Sequence, residues 1–239
     1  MSSSEGRRMR VIDFETTGIP PDAEVVEAAY LDVMPSPTLG PGLTVLYGIE
    51  EPGWSSLVVP NMAIPAEARA VHHIPDREIE SLGIAWPDVM KFIVHEGLYV
   101  AHSADFEKGF FNPEGSRWID TYKCALRLWP EAPRYGNQVL RYWLENCDPG
   151  GLGMPPHRAL PDCYVTAFIL LNCMMRKNVE QLLAWSDEPP LLPKVPMGKH
   201  RGKKWSEVPR DYLEWATKQD FDEGVAYAVK LELARRRKS

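Results

Sequence analysis

The run Met9-Arg-Val-Ile-Asp-Phe-Glu15 narrows the choice of folds more than any other stretch of the chain. It is short and β-rich, ends on two acids, and is followed by Thr16-Thr17-Gly18 as a turn. Residues two apart on a strand share a face about 7 Å apart, so Asp13 and Glu15 project together while Phe14 goes to the opposite side. Two like charges side by side are unfavourable without a cation. The strand therefore ends at a charged edge, and the rest of the chain has to supply what that edge holds.

Residues 25–33 (VVEAAYLDV) are placed to pair with this strand after a turn marked by Gly18-Ile19-Pro20-Pro21. Residues 42–47 and 57–60 are expected to supply a third strand. Helical and extended stretches then alternate, with a helix near residues 88–95, a buried strand at 98–101, a helix from about Ala104 and an extended piece at Trp118-Ile119. Such alternation implies an α/β architecture. Helical periodicity returns over residues 122–128, 138–144 and 162–175. Composition shifts after that, because residues 188–196 hold four prolines in nine positions, a pattern that cannot continue a helix. The expected organisation is an extension over residues 1–8, a main domain over 9–186, a proline-rich linker over 187–196 and a small basic module over 197–239.

A chain of 239 residues with 44% hydrophobic content can bury a sizeable core. No run approaches the roughly 18 apolar residues of a membrane span, and no apolar segment follows the start MSSSEGRRMR, so the expected compartment is the cytoplasm. Cys124, Cys147, Cys163 and Cys173 lack metal-site spacing and sit among apolar residues, as reduced structural thiols do. The net charge of −6 argues against coating nucleic acid by bulk attraction. It does not exclude an enzyme whose carboxylates await divalent cations.

Two further fragments carry chemistry. In His102-Ser-Ala-Asp-Phe-Glu-Lys-Gly-Phe110, Asp105 and Glu107 differ by about 200° around a helix axis, so only one can face the sheet edge. Phe106, Phe110 and Phe111 seat the helix without choosing between the two acids. In His157-Arg-Ala-Leu-Pro-Asp162, proline favours the first helical position. The helix is thus expected to start at Pro161, with Asp162 in its first turn and His157 on the preceding loop. Acids and a histidine from strand ends and helix starts are the parts of two-metal phosphodiester hydrolysis, in which carboxylates hold two divalent ions and a base deprotonates water.

These fragments resemble, in order, the three motifs of the DnaQ-like (DEDDh) 3′-to-5′ exonucleases. Asp13 to Gly18 match D-x-E-T-T-G, Ala101 to Glu107 match A-H-x-A-x-F-[DE], and His157 to Asp162 match H-x-A-x-x-D. Ala70 to Ile74 resemble the family's H-x-I segment. Ser103 and Glu107 stand where the family usually has Asn and Asp. The resemblance implies a ribonuclease H-like fold, a mixed central sheet flanked by helices, here with a small helical C-terminal appendage. It implies metal ligands at Asp13, Glu15 and Asp162, with Glu107 in the register of the fourth acid, and His157 as general base. Two Mg²⁺ ions, replaceable by Mn²⁺, are the implied cofactors.

Thr16, Thr17 and Gly18, together with His72, are expected to contact the terminal nucleotide. The implied partner is a DNA 3′ end, single strands favoured, with no membrane and no obligate protein partner, and the products are nucleoside 5′-monophosphates. An RNA exonuclease of the same fold and a non-catalytic relative that binds nucleic-acid ends are the alternatives. The other candidates suit structural roles: a helix cap for Asp120-Thr121, a hydrogen-bonded core residue for His102, a structural turn for His72 and His73, and packing for Trp129, Trp143 and Trp185. Lys194, Lys199, Arg201, Lys203 and Lys204, with the terminal Arg235-Arg-Arg-Lys238, form either a phosphate-tracking surface or a solvated charged face.

Overall fold

The computed structural model describes residues 7–39 and 45–238. Most of the expected extension over residues 1–8, and residues 42–44 of the expected third strand, lie outside the described residues. The centre is a five-stranded sheet in the order β3-β2-β1-β4-β5, formed by β1 (Met9–Thr16), β2 (Val25–Leu39), β3 (Val45–Leu57), β4 (Leu98–Ala101) and β5 (Arg117–Asp120). Strands β2 and β3 form an antiparallel meander beside β1, whereas β4 and β5 run parallel to it. The three parallel strands therefore end at one edge, where α/β sheets bind ligands.

Ten α-helices are present among the described residues: α1 (Ala66–His72), α2 (Asp76–Leu82), α3 (Trp86–Ile93), α4 (Asp105–Lys108), α5 (Thr121–Leu128), α6 (Asn137–Trp143), α7 (Ala159–Met174), α8 (Val179–Ser186), α9 (Arg210–Ala216) and α10 (Glu223–Lys238). Side chains alternate along β1, so Met9 and Val11 enter one core layer with Leu98, Val100, Ile119 and residues of α5, α7 and α8. Ile12 and Phe14 enter the other, with Tyr99, Ala101, Trp118 and Val89 and Ile93 of α3. This alternation puts Asp13 and Glu15 on the α7 side. Each fully buried Val, Leu or Ile contributes roughly 1.5–3 kcal/mol. Arg10 and Asp32, paired across β1 and β2, are buried, and their two hydrogen bonds measure 2.9 and 2.8 Å. Arg10 also donates to the carbonyls of Phe92 and Ile93 at the end of α3. Removing either partner strands a buried charge, at a cost of about 3–5 kcal/mol.

Three local expectations are corrected. The third strand is continuous over Val45–Leu57 rather than split around residues 48–56. Pro52-Gly53 is absorbed where the register slips between Tyr30 and Asp32, and a bulge tolerates the missing proline N–H. Helix α7 starts at Ala159, two residues before Pro161, because the N–H groups of a first helical turn have no intrahelical acceptor for proline to forfeit. Trp129 is buried and Trp185 packs on the same core, but Trp143 is 37% exposed.

After α8 the chain builds a second small cluster from Val195, Trp205, Val208, Leu213, Val225 and Val229. Leu191 and Leu192, from the proline-rich stretch, pack on it. Arg127 of α5 ties this segment to the main body through the Glu188 carboxylate (2.9 Å) and the Pro189 carbonyl (3.1 Å). No described helix is long and apolar enough to cross a membrane.

Candidate active site

A cavity of about 380 Å³ opens where β1 and β4 end, lined by Asp13, Glu15, Glu107, His157 and Asp162 together with Thr16, Gly18, His72, His102 and Asn137. All four acids and the histidine singled out in the sequence are thus brought together. Potential ligand atoms of Glu15, His157 and Asp162 lie within 4.8 Å of one another, the one such group among the described residues. Asp13 and Glu107 line the same cavity outside that trio.

Each acid is held by a different local device. Sheet pairing on both sides fixes β1, with Asp13 opposite Ala29 and Glu15 opposite Glu27. Glu107 projects from α4, whose start is clamped by Asp120. That carboxylate accepts from the backbone N–H groups of Ser103 (3.3 Å) and Ala104 (3.0 Å), and also caps α5 by accepting from Lys123 (3.0 Å). Within this turn Ser103 adopts a left-handed φ of 73°. Asp105 points away from the cavity and pairs with Lys123 (2.9 Å) and Lys108 (3.1 Å), so Glu107 is the acid that faces the sheet edge. Asp162 sits in the first turn of α7, accepting from the Gln138 amide (2.8 Å) and from the His157 backbone N–H (2.9 Å). The second bond holds the loop at His157, an exposed residue with a left-handed φ of 59°.

The electrostatics are those of a site built for positive charge. Burial pushes Asp13 well above the usual carboxylate range, and repulsion from Asp162, Glu15 and Glu107 adds to it. Glu15 is pushed up to about 8 by burial, then by Asp162 and Glu27, with Arg158 opposing. Burial also raises Glu107 strongly, and its Oε2 is buried without any hydrogen-bond partner. Asp162 is raised by burial against the bonds from Gln138 and His157. By contrast, burial of Asp105 is outweighed by its bonds to Lys123 and Lys108, and its carboxyl titrates below the usual range.

The nucleotide-contact candidates divide. Thr16 and Gly18 line the cavity, with the Thr16 hydroxyl donating to the Gly18 carbonyl (2.6 Å). Thr17 is buried and does not line it; its hydroxyl accepts from the Glu24 N–H (2.9 Å) and closes the β1–β2 turn. His72 is 2% exposed, and its Nδ1 accepts from the Ile74 N–H (3.0 Å), so the ring proton sits on Nε2. That Nε2 has no partner. His102 is hydrogen-bonded as expected, with Nε2 donating to the Tyr135 carbonyl (2.7 Å) and Nδ1 at 2.9 Å from the Thr121 hydroxyl, yet it also forms cavity wall.

Sequence reasoning missed two supports. One is Asn137-Gln138 at the start of α6, where Asn137 donates to the Asp162 carbonyl and to Thr166 while Gln138 holds the Asp162 carboxylate. The other is Glu27, which accepts from Arg158 in two bonds (2.9 and 2.7 Å) and from the Ala159 N–H (3.0 Å), pinning the start of α7 to β2. Glu27, an acid on the otherwise apolar stretch Val25 to Leu31, was the available signal, since a buried charge needs a partner.

The chain is 33% identical over 213 residues to Exodeoxyribonuclease 10 of Escherichia coli (strain K12), covering 87% of this chain and 89% of that protein. It belongs to the DnaQ-like 3′-to-5′ exonuclease family. A solved structure of exonuclease X in complex with 5′ overhanging duplex DNA matches with a TM-score of 0.59 at 30% identity, covering 74% of this chain and 99% of that one. A 3′-exonuclease solved in a study of 3′-end-specific recognition of histone mRNA stem-loop shares the fold, with a TM-score of 0.54 at 17% identity over 75% of this chain and 68% of that one. No protein-family model matches the chain. DnaQ-like exonucleases depend on divalent metal ions. The all-oxygen acid set, the unpartnered Glu107 oxygen and the upward carboxyl shifts fit hard divalent cations.

Proposed function

We propose that this DnaQ-like enzyme is a 3′-to-5′ exodeoxyribonuclease in which Asp13, Glu15, Glu107 and Asp162 hold two Mg²⁺ ions and His157 is the general base. One observation carries the reading: four carboxyl groups, each raised by burial, and a loop histidine surround a single cavity. Bound there, Mg²⁺, or Mn²⁺ in its place, supplies positive charge to the phosphodiester oxygens and acidifies the attacking water.

The chain's own residues do the rest. His157, held over the cavity by its backbone bond to Asp162, accepts the proton of the water that attacks phosphorus. The bond from phosphorus to O3′ of the shortened strand breaks, and the departing O3′ takes a proton from solvent. A nucleoside 5′-monophosphate leaves. His72 offers its Nε2–H to the terminal nucleotide, and Thr16 and Gly18 form the adjoining wall. Thr17 acts on the same turn from beneath. A buried donor without a partner costs about 1–3 kcal/mol, so a ligand oxygen at His72 recovers a penalty already present in the folded protein. Similarity to an exodeoxyribonuclease at 33% identity supports DNA as the substrate.

The test is incubation of labelled single- and double-stranded DNA and RNA with Mg²⁺, with products resolved by chromatography. The expected result is 5′-mononucleotides from the 3′ ends of single-stranded DNA, duplex ends being slower. Release from RNA alone, or internal cleavage, overturns the reading.

A further inference from the structure

We propose that a second groove, between the main sheet domain and the C-terminal segment, holds phosphates of the substrate strand 5′ to the nucleotide in the catalytic cavity. This rests on the function proposed above, because a strand whose 3′ end is bound must leave the cavity along some surface. The groove measures about 410 Å³, and Tyr122, Arg134, Tyr135, Lys194 and Arg201 are among the residues that line it. Arg134, Lys194 and Arg201 are exposed, and no carboxylate lines the groove beside them. In a chain of net charge −6, three cations around one concavity form a local field of opposite sign to the whole, a fit for a polyanion.

Two observations join groove and cavity. His102 lines the cavity, donates to the Tyr135 carbonyl (2.7 Å) and meets the Tyr122 ring edge-on at 5.9 Å, so one wall is continuous from the catalytic site to the groove. The far wall is also built. Gly202, with a left-handed φ of 82°, donates to the Val195 carbonyl (2.8 Å), and Val195 donates to the Lys203 carbonyl (2.9 Å), which fixes the turn that carries Arg201. Tyrosine rings beside cations give bases a stacking face and phosphates a charge partner. The arginines at the end of α10 differ, since Arg235 and Arg236 are both paired with Glu232.

The experiment compares wild type with the full-length double variant Arg134→Glu/Arg201→Glu, both positions being exposed. Binding of fluorescent single-stranded DNA of about twelve nucleotides is measured in chelator over a range of salt, and dinucleotide hydrolysis is measured separately in Mg²⁺. The expected result is at least about tenfold weaker binding of the longer strand, with a log–log salt slope shallower by about 2 and dinucleotide turnover unchanged. Unchanged affinity and slope overturn the proposal. So does unchanged nucleic-acid affinity alongside lost binding of a poly-glutamate peptide, which assigns the groove to an acidic protein. If the variant loses long-strand binding while wild type fails to hydrolyse the dinucleotide, the groove stands and the catalytic reading falls.

Discussion

The acids at the end of the parallel strands and the charged end of α10 look alike as clusters of charge but are built in opposite ways. Around the cavity, Asp13, Glu15 and Glu107 form no ion pair with Lys or Arg among the described residues, and burial drives their carboxyls upward, with Arg158 opposing the rise at Glu15. At the end of α10, Glu232 accepts from Arg235 (2.9 and 2.8 Å) and Arg236 (2.6 Å), and its carboxyl is pulled down to about 2 by those bonds. Arg236 also donates to the carbonyls of Trp205, Ser206 and Val208. A cluster whose charges are satisfied within the chain is structure. One that is left uncompensated, at a cost to stability, awaits a ligand.

The largest effects should come from the uncompensated cluster. Asp13→Ala and Asp162→Ala should each reduce exonuclease turnover by about a thousandfold or more with the folded state intact by circular dichroism; metal-free melting should be unchanged or higher in Asp13→Ala, whereas Asp162→Ala also forfeits the bonds from Gln138 and His157. A variant that retains a sizeable share of wild-type turnover breaks the comparison. At α4, Glu107→Gln should remove most activity, Glu107→Asp should keep a measurable part, and Asp105→Asn should stay within about twofold of wild type. An inactive Asp105→Asn beside an active Glu107→Gln would reverse the assignment. His157→Ala should lower kcat by about 10²–10⁴ with little change in DNA affinity, because a general base acts on the attacking water and not on the ground-state complex.

The pH dependence of metal-free stability sharpens the contrast, since the two clusters carry opposite signs. Folded Glu15 keeps its proton to about 8, against an ordinary value of 4.5. The stability it contributes is therefore present below 4.5 and is lost as pH rises through about 8. Glu232 behaves in reverse: its contribution is present above 4.5 and is lost as pH falls toward about 2. Thermal melts of metal-free protein should accordingly decline on the alkaline limb in wild type but less in Glu15→Gln, by several degrees. Equal alkaline limbs would contradict the assignment of the strain to Glu15. Smallest of all, Arg236→Ala should lower the melting temperature by a few degrees through lost carbonyl contacts and leave dinucleotide turnover unchanged.

Much of the site was legible because its informative contacts are short-range. The two-residue period of β1 puts Asp13 and Glu15 on one face with no knowledge of the sheet, and the motif register distinguishes Glu107 from Asp105. Illegible features depend on distant partners. Glu27 meets Arg158 across 131 positions of chain, and the Asp120 N–H donates to the Ser186 hydroxyl across 66. Helices α1 and α2 were not anticipated, being too short for periodicity to register. The middle of β3 was not legible because proline and glycine at positions 52 and 53 are unfavourable in a strand except at a bulge, and the bulge depends on pairing with β2.

The central claim, that the cavity's carboxyls hold protons until divalent metal arrives, is tested most directly by calorimetric titration of Mn²⁺ into metal-free protein at pH 7 in buffers of different ionisation enthalpy. Glu15, with a carboxyl that titrates near 8, is largely protonated at that pH and must give up its proton to become a ligand. About two ions should bind per chain with net release of protons, both effects diminished in Glu15→Gln. Binding with no proton release, or no binding at all, would contradict the claim.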